Sequence, residues 1–377
     1  MAKKDKKQQK SYLLLKTLAC ILAFIISAVG SFAFGFISSF LNKDESNVTL
    51  GSLSIHVMEL GNEYAGDSIY IKAGDTDILI DAGSRASSVS TITNYVNQYC
   101  TDGILEYVIV THADQDHIAG FAGTNAANTS VFDFYKCGTI IDFALSNKTT
   151  AVYNRYIEKR ENEVANDGAV HYTVLQCWNN ADGAQRIYDL GSDMSLEILY
   201  QKFYENTTGD ENNYSVCLML KHGDKNFLLT GDLEKEGEES LLESNDLPEV
   251  EFFKAGHHGS KTSSSAALIE KVKPEIIAIS CVAGSVEYTQ NLQNTFPTKQ
   301  VIDRFETYNI EQVYVTSYAT IEKVGDEYEN TGFGSLNGTI VVISKGSGVT
   351  VECTNNNTVL KDSDWFKSFS PMWDLQE

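Results

Sequence analysis

The sequence predicts an α/β fold in which two β-sheets pack face to face with helices outside, preceded by one N-terminal membrane-spanning helix. Three observations carry this. Apolar strand-like runs come first as hairpins and then alternate with helical runs, and the order occurs twice along the 377 residues. No short-period repeat interrupts it. From Thr17 to Leu41 the chain has 25 residues without a charge, and about 20 apolar residues cross a bilayer as a helix. A content of 42% hydrophobic and 21% charged residues belongs to a globular chain, not a disordered one.

The N-terminal region divides by charge. Residues 1–16 form a basic tail, 17–41 an anchor and 42–51 a polar linker; a domain over 52–352 and a C-terminal tail over 353–377 follow. A secretory apolar core is shorter, about 7–15 residues, so the reading is an uncleaved anchor; Ala28-Val29-Gly30 keeps a cleaved signal peptide as the alternative. Lysines ahead of the span hold the N-terminus in the cytoplasm, which predicts a single-pass protein of the cell membrane with its bulk extracytoplasmic. Residues 1–43 carry seven Lys and one Asp, and with −22 overall the remainder carries −28. Such acidity repels nucleic acid at long range, or simply keeps the domain soluble. Six cysteines lie outside the span without a CxxC pair, leaving disulfides and buried thiols both open.

The elements follow in order. LSIHVMEL reads as a half-buried strand, and IYIKAGDTDILIDAG as a hairpin about Gly74-Asp75. SSVSTITNYVNQYC has helical spacing. ILEYVIVTH is a compact apolar strand. TIIDFAL and HYTVLQCW read as short strands flanking a helix near Val152–Val164. SLEILY and NNYSVCLMLKHGDKNFLLTGD give further strands, then a charged helix over Leu233–Glu243. VEFFKAGHHGS is strand then loop, SSSAALIEKV helix, PEIIAIS strand, KQVIDRFETY helix, EQVYVTS strand, and GTIVVISKGSGVTVEC a last hairpin. The aromatics of SDWFKSFSPMWDLQE pack on the body.

Three of these strands end in ligand-type residues. ILEYVIV delivers HADQDH, with His112, Asp114, Asp116 and His117 within six positions. A strand end fixes the backbone, so short side chains beyond it converge, and imidazole and carboxylate are zinc ligands. FLLTGD ends in Asp232, which also suits the N-cap of the next helix. FFKAGHHGSK places His257 and His258 in a loop, followed by Ser260 and Lys261; a lysine among hydroxyls suits a phosphate oxygen, and a solvent-exposed serine-rich turn suits the same residues.

Together, LGNEYAGDSIYI, ILIDAG, THADQDHIAG, FLLTGD, KAGHHGSKTS and EIIAIS resemble the metallo-β-lactamase superfamily, and more narrowly the hydrolase domain of ComEC-type competence proteins, over about residues 52–345. The resemblance implies an αββα sandwich with a metal site at one sheet edge, holding one or two Zn²⁺ or, alternatively, Mn²⁺. It implies that His112 and Asp114 bind one metal, Asp116 and His117 the second, Asp232 bridges both, and His258 completes the first, with His257 as the substitute. Asp67, in AGDS, would stand behind a ligand histidine and hold it. The family's final histidine precedes a proline; here Phe296 precedes Pro297, so the second site would lack a ligand. His56, His171 and His222 read as structural, His171 being the one that could fill that vacancy. Asp81 reads as structural too.

The implied activity is metal-dependent hydrolysis of phosphoesters or phosphodiesters by a hydroxide that a metal makes available near neutral pH, with Asp116 orienting the water. The substrate is a small-molecule or polymeric phosphoester; nucleic acid and the oligomeric state stay open. The rival readings are a non-catalytic metal-binding surface module and a nuclease of DNA uptake, although a single span builds no channel.

Overall fold

The computed structural model describes residues 52–376. The basic tail, anchor and linker predicted over 1–51 lie outside the described residues. Among the described residues no helix is long and apolar enough to cross a membrane.

Among the described residues, sixteen strands form two sheets. The first runs β16-β15-β1-β2-β3-β4-β5-β6, with β1 Leu53–Val57, β2 Ile69–Ala73, β3 Thr76–Ile80, β4 Ile104–Val110, β5 Lys136–Asp142, β6 Val170–Thr173, β15 Ile340–Ser344 and β16 Val349–Cys353. The second runs β14-β13-β12-β11-β10-β9-β8-β7, with β7 Ile187–Gly191, β8 Met194–Leu199, β9 Cys217–His222, β10 Lys225–Leu229, β11 Phe252–Lys254, β12 Ile276–Ala283, β13 Gln312–Val324 and β14 Glu327–Ser335. The helices are α1 Ser88–Val96, α2 Gln115–Ala122, α3 Ala151–Asn162, α4 Val174–Asn179, α5 Lys235–Ser244, α6 Ala266–Val272, α7 Lys299–Thr307 and α8 Asp364–Phe369.

The period-two alternation of strand side chains sorts the core into layers. Ile78, Ile80 and Ile109 of the first sheet meet Leu218, Leu220, Phe227 and Leu229 of the second in one buried cluster between the sheets. Leu79, Val108 and Val110 point the other way, against Val89 and Ile92 of α1, Ile118 and Phe121 of α2 and Tyr156 of α3. On the far side, Leu228, Phe253 and Ile277 face Leu241 of α5, Leu268 of α6, Val301 and Phe305 of α7, and Phe369 and Trp373 near the C-terminus. These four layers, helix, sheet, sheet and helix, fit the expected sandwich.

β3, β4, β5 and β6 run parallel, as do β10, β11, β12 and β13. The carboxyl ends of β4, β10 and β11 carry the three ligand-rich loops, and in open parallel sheets that end is where ligands gather.

Some elements depart from the sequence reading. HYTVLQCW is not one strand: Thr173 ends β6 and caps α4 through its side chain, with Gln176 closing a capping box. The charged helix begins at Lys235 with Glu234 in the capping position, so Asp232 is not its N-cap. β7 and β14 have no counterpart in the reading; their alternately exposed residues give little apolar signal. The predicted tail begins at Cys353, which instead ends β16. All six cysteines outside the predicted span are free.

Candidate metal centre

The loop after β4 turns directly into α2, and two backbone bonds pin that helix to the chain leaving β3. Ala82 N–H donates to His117 O at 2.8 Å and Gly120 N–H to Ala82 O at 3.0 Å. A Cβ at Gly120 would stand 2.2 Å from Ala82 O, so only glycine permits the approach. His117 is thereby brought against Asp81. Its Nδ1–H donates to Asp81 Oδ2 at 2.8 Å, leaving Nε2 facing Asp232 Oδ2 at 3.1 Å.

Asp232 follows Gly231, whose φ of +55° makes the turn after β10. A side chain at Gly231 would meet Thr111 Cβ and Ser215 Oγ at 2.9 Å. The third loop, after β11, reverses through two consecutive left-handed residues, His257 (φ +45°) and His258 (φ +53°). Non-glycine residues pay for that conformation, and it is kept where the surroundings impose it. Here it turns the His258 ring inward. His258 Nδ1–H donates to Ser280 O at 2.8 Å, and Nε2 lies 3.2 Å from both Asp116 Oδ2 and Asp232 Oδ2.

The outcome is four side chains, Asp116, His117, Asp232 and His258, each offering a ligand atom within 4.8 Å of the others. Both imidazoles have Nδ1–H tied to a fixed acceptor, which leaves Nε2 for the centre, the usual arrangement of a metal-binding histidine. His112 adjoins them, its ring 4.2 Å from that of His117. Its Nδ1 lies 3.1 Å from Thr111 Oγ1 and 3.4 Å from Ser215 Oγ. Its Nε2 is buried without a hydrogen-bond partner, and so is Asp232 Oδ1. Buried polar atoms are almost always paired. Two orphans beside a set of imidazoles and carboxylates fit a divalent cation.

The electrostatics agree. Burial opposes ionisation of Asp232, but His258 and His117 hold its carboxyl well below the ordinary carboxylate range. The same two residues are pushed well above an ordinary histidine against the penalty of burial, chiefly by Asp232, so the carboxylates draw positive charge to this point, and a bound cation would have to take the place of the Nε2 protons. The floor of the site is buried, whereas Asp114 and Asp116 are 27% and 25% exposed, so the mouth opens on their side.

The sequence reading is corrected in its sorting of ligands. By distance His258 groups with Asp116, His117 and Asp232, not with His112 and Asp114 as the resemblance implied. Phe296 reaches the neighbourhood, its ring 6.0 Å from that of His258. His257 lies outside the cluster: its Nδ1 is 3.2 Å from Glu234 Oε1 and its ring is partly exposed. The reason is the doubled left-handed turn, which sends adjacent side chains opposite ways. His171 is bound to Asp142 instead, at 2.8 Å. Ser260 Oγ bonds Thr262 Oγ1 at 2.8 Å, and the Lys261 ammonium donates to Asn294 Oδ1 at 2.9 Å.

Asp67 stands behind His258, its Oδ1 3.4 Å from Nδ1, while its Oδ2 pairs with Lys254 Nζ at 2.6 Å. Burial opposes its ionisation, yet Lys254 and His258 hold the carboxyl below its usual range. Lys254 is 1% exposed and ends an apolar strand; that placement was the available signal for it, and the reading passed over it. Asp81, read from the sequence as structural, has a second role. It also accepts from Thr111 N–H at 2.8 Å and Thr111 Oγ1–H at 2.7 Å, so it fixes the start of the HADQDH loop as well as the His117 ring.

No family model matches the chain. The chain is 26% identical over 221 residues to ComE operon protein 3 of Bacillus subtilis, covering 58% of this chain and 24% of that protein. It is 25% identical over 292 residues to competence protein ComA of Neisseria gonorrhoeae, covering 75% of this chain and 35% of that protein. It therefore spans about a quarter to a third of these relatives' lengths. Among solved structures, the metallo-β-lactamase fold protein YhfI of Bacillus subtilis matches at 11% identity and a TM-score of 0.39, over 70% of this chain and 96% of that one. In sequence the chain is similar to competence proteins of the ComEC type, and its four layers and strand-end loops fit the metallo-β-lactamase superfamily.

Proposed function

We propose that this chain is a membrane-anchored, extracytoplasmic metal-dependent hydrolase of phosphoesters or phosphodiesters. The observation that carries the reading is the convergence of Asp116, His117, Asp232 and His258 from three strand ends within 4.8 Å. Bound there, a divalent cation supplies Lewis acidity for a phosphoryl oxygen and lowers the pKa of water. Asp81 and Ser280 O fix the tautomers of His117 and His258 and so present Nε2 to the centre. Asp232 lies between the two imidazoles. Asp116, at the exposed mouth, would orient the attacking water. Anchoring rests on the uncharged run from Thr17 to Leu41 and orientation on the lysines before it.

The relatives named as competence proteins make nucleic acid one phosphodiester to assay. The −28 carried beyond residue 43 opposes long duplexes and favours small or non-nucleic esters. The test is the metal content of the purified full chain together with turnover of bis-p-nitrophenyl phosphate. Activity should require Zn²⁺ or Mn²⁺ and disappear in Asp232→Ala. Bound metal with no metal-dependent turnover of any ester would replace this reading with that of a non-catalytic metal-binding module.

A further inference from the structure

The candidate donors divide unevenly. Asp116, His117, Asp232 and His258 form one compact group, and Asp114 stands outside it. Asp114 Oδ2 lies 3.6 Å from His112 Nε2, and its other oxygen, Oδ1, is ion-paired with Lys148 Nζ. A second position for positive charge therefore exists beside His112 and Asp114, and an ammonium already neutralises it.

Lys148 is not a stray surface lysine. Its loop follows β5 and is clamped by Glu211, which is 5% exposed. Glu211 accepts from Ser146 Oγ–H at 2.7 Å and from Asn147 N–H at 2.7 Å. It also accepts from Ala113 N–H at 3.3 Å, the residue just before Asp114. One buried carboxylate thus ties the lysine loop to the aspartate loop. Lys148 N–H donates to Ser146 Oγ at 3.0 Å, and Asn147 Nδ2–H to Thr208 O at 2.8 Å. The Lys148 and Asp114 side chains are 29% and 27% exposed, at the mouth of the cluster.

We propose that the centre holds a single metal ion and that the Lys148 ammonium is its second cation, paired with Asp114 and presented to a phosphoryl oxygen. A lysine ammonium is a compact charge with three donors, and Asp114 uses one. The ammonium is partly exposed at the open side of the site, which leaves its remaining donors available to an arriving phosphate oxygen. The same charge repels a second dication from His112 and Asp114. Only the phosphate contact rests on the hydrolase reading; the one-metal stoichiometry stands apart from it.

The experiment is a metal titration of the full chain with Mn²⁺ and Zn²⁺, followed by calorimetry and by electron paramagnetic resonance of the Mn²⁺ form. The wild-type chain takes up one equivalent and gives the six-line spectrum of isolated Mn²⁺. Lys148→Met frees Asp114, so a second equivalent binds and a spin-coupled pair appears; Lys148→Arg keeps one. Loaded with a single equivalent, Lys148→Met binds inorganic phosphate at least tenfold more weakly than wild type. Two tight equivalents with a coupled spectrum in the wild-type chain overturn the proposal, whether or not the variant folds. So does a folded Lys148→Met that still binds one equivalent and holds phosphate as the wild type does. Absence of ester turnover in a wild-type chain holding one metal would count against the hydrolase reading and leave the stoichiometry standing.

Discussion

Replacing Asp81 by Asn tests whether the buried carboxylate sets the tautomer of His117. The backbone at Asp81 is left-handed, φ +57°, a region that Asn adopts readily, so the substitution leaves the turn intact. Asp81 accepts three hydrogen bonds, from Thr111 N–H, from Thr111 Oγ1–H and from His117 Nδ1–H. Asn has one acceptor oxygen and two N–H donors. If its oxygen keeps the Thr111 N–H, which cannot reverse, its amide nitrogen faces His117 Nδ1. That nitrogen must then accept, and the proton moves to Nε2, the atom meant for the metal. Loss of a partner of this kind costs roughly 10–100-fold in metal affinity, and the tautomer change puts Asp81→Asn at the upper end, near 100-fold. At about 1.4 kcal/mol per decade this is about 2.8 kcal/mol. The assay is competition for Zn²⁺ against a chelator of known affinity. Asp142→Asn is the control: that buried carboxylate ends β5, two strands from β3, and serves Tyr156, Arg160 and His171, none of them in the four-residue cluster. It should lose stability and keep its metal affinity. Equal affinities for Asp81→Asn and wild type would refute the tautomer argument.

Other substitutions and conditions separate the site further. His258→Ala should lose more affinity than the roughly 100-fold that outlying partners cost, and His257→Ala only a little, because His257 faces Glu234; equal losses in the same titration would contradict the assignment. Chelation of the loaded protein should lower its melting temperature, since a ligand held at about 100 times its Kd stabilises the folded state by roughly 2.7 kcal/mol; an unchanged melting curve would count against a structural cation. Burial raises the Glu238 carboxyl from 4.5 to about 7, opposed by its bonds to Ser264 N–H and Ser265 N–H. A raised acid binds more protons folded than unfolded. Its contribution is therefore fully present below about pH 4.5, is lost between there and pH 7, and amounts to no more than about 3 kcal/mol. Denaturant titrations across that window should show stability falling with pH in wild type and this component absent in Glu238→Gln.

Much of the fold was legible because strand patterns were strong wherever both faces of a strand were buried. Leu79 and Val108 look toward helices while Ile78 and Ile80 look toward the second sheet, so β3 and β4 read as continuous apolar runs. Where a strand lies at a sheet edge the signal fades. Both β7 and β14 occupy edges of the second sheet and alternate buried or half-buried with exposed residues, and neither was foreseen. At Thr173 the sequence holds two messages: a β-branched run, and a capping box that starts a helix. The capping box prevails, because it satisfies backbone donors that β6 no longer pairs.

The candidate site was legible in its membership more than in its pairing. Ligand-type residues past the ends of β4, β10 and β11 were visible as motifs, because short side chains after a buried strand have little freedom to go elsewhere. Which histidine joins which aspartate depends on backbone signs that residue types do not encode. Neither His257 nor His258 is a glycine, yet both turn left-handed, and the reversal decides that one ring enters the cluster and the other meets Glu234. The loop holding Lys148 lies 34 positions beyond Asp114, and Glu211, 63 positions further still, ties the two together. No local pattern links three residues at such separations. The charge balance at the mouth of the centre is therefore a property of the tertiary fold. Chains with the same HADQDH motif need not share it, and Lys148 is the residue to examine before assuming that this motif binds two metals.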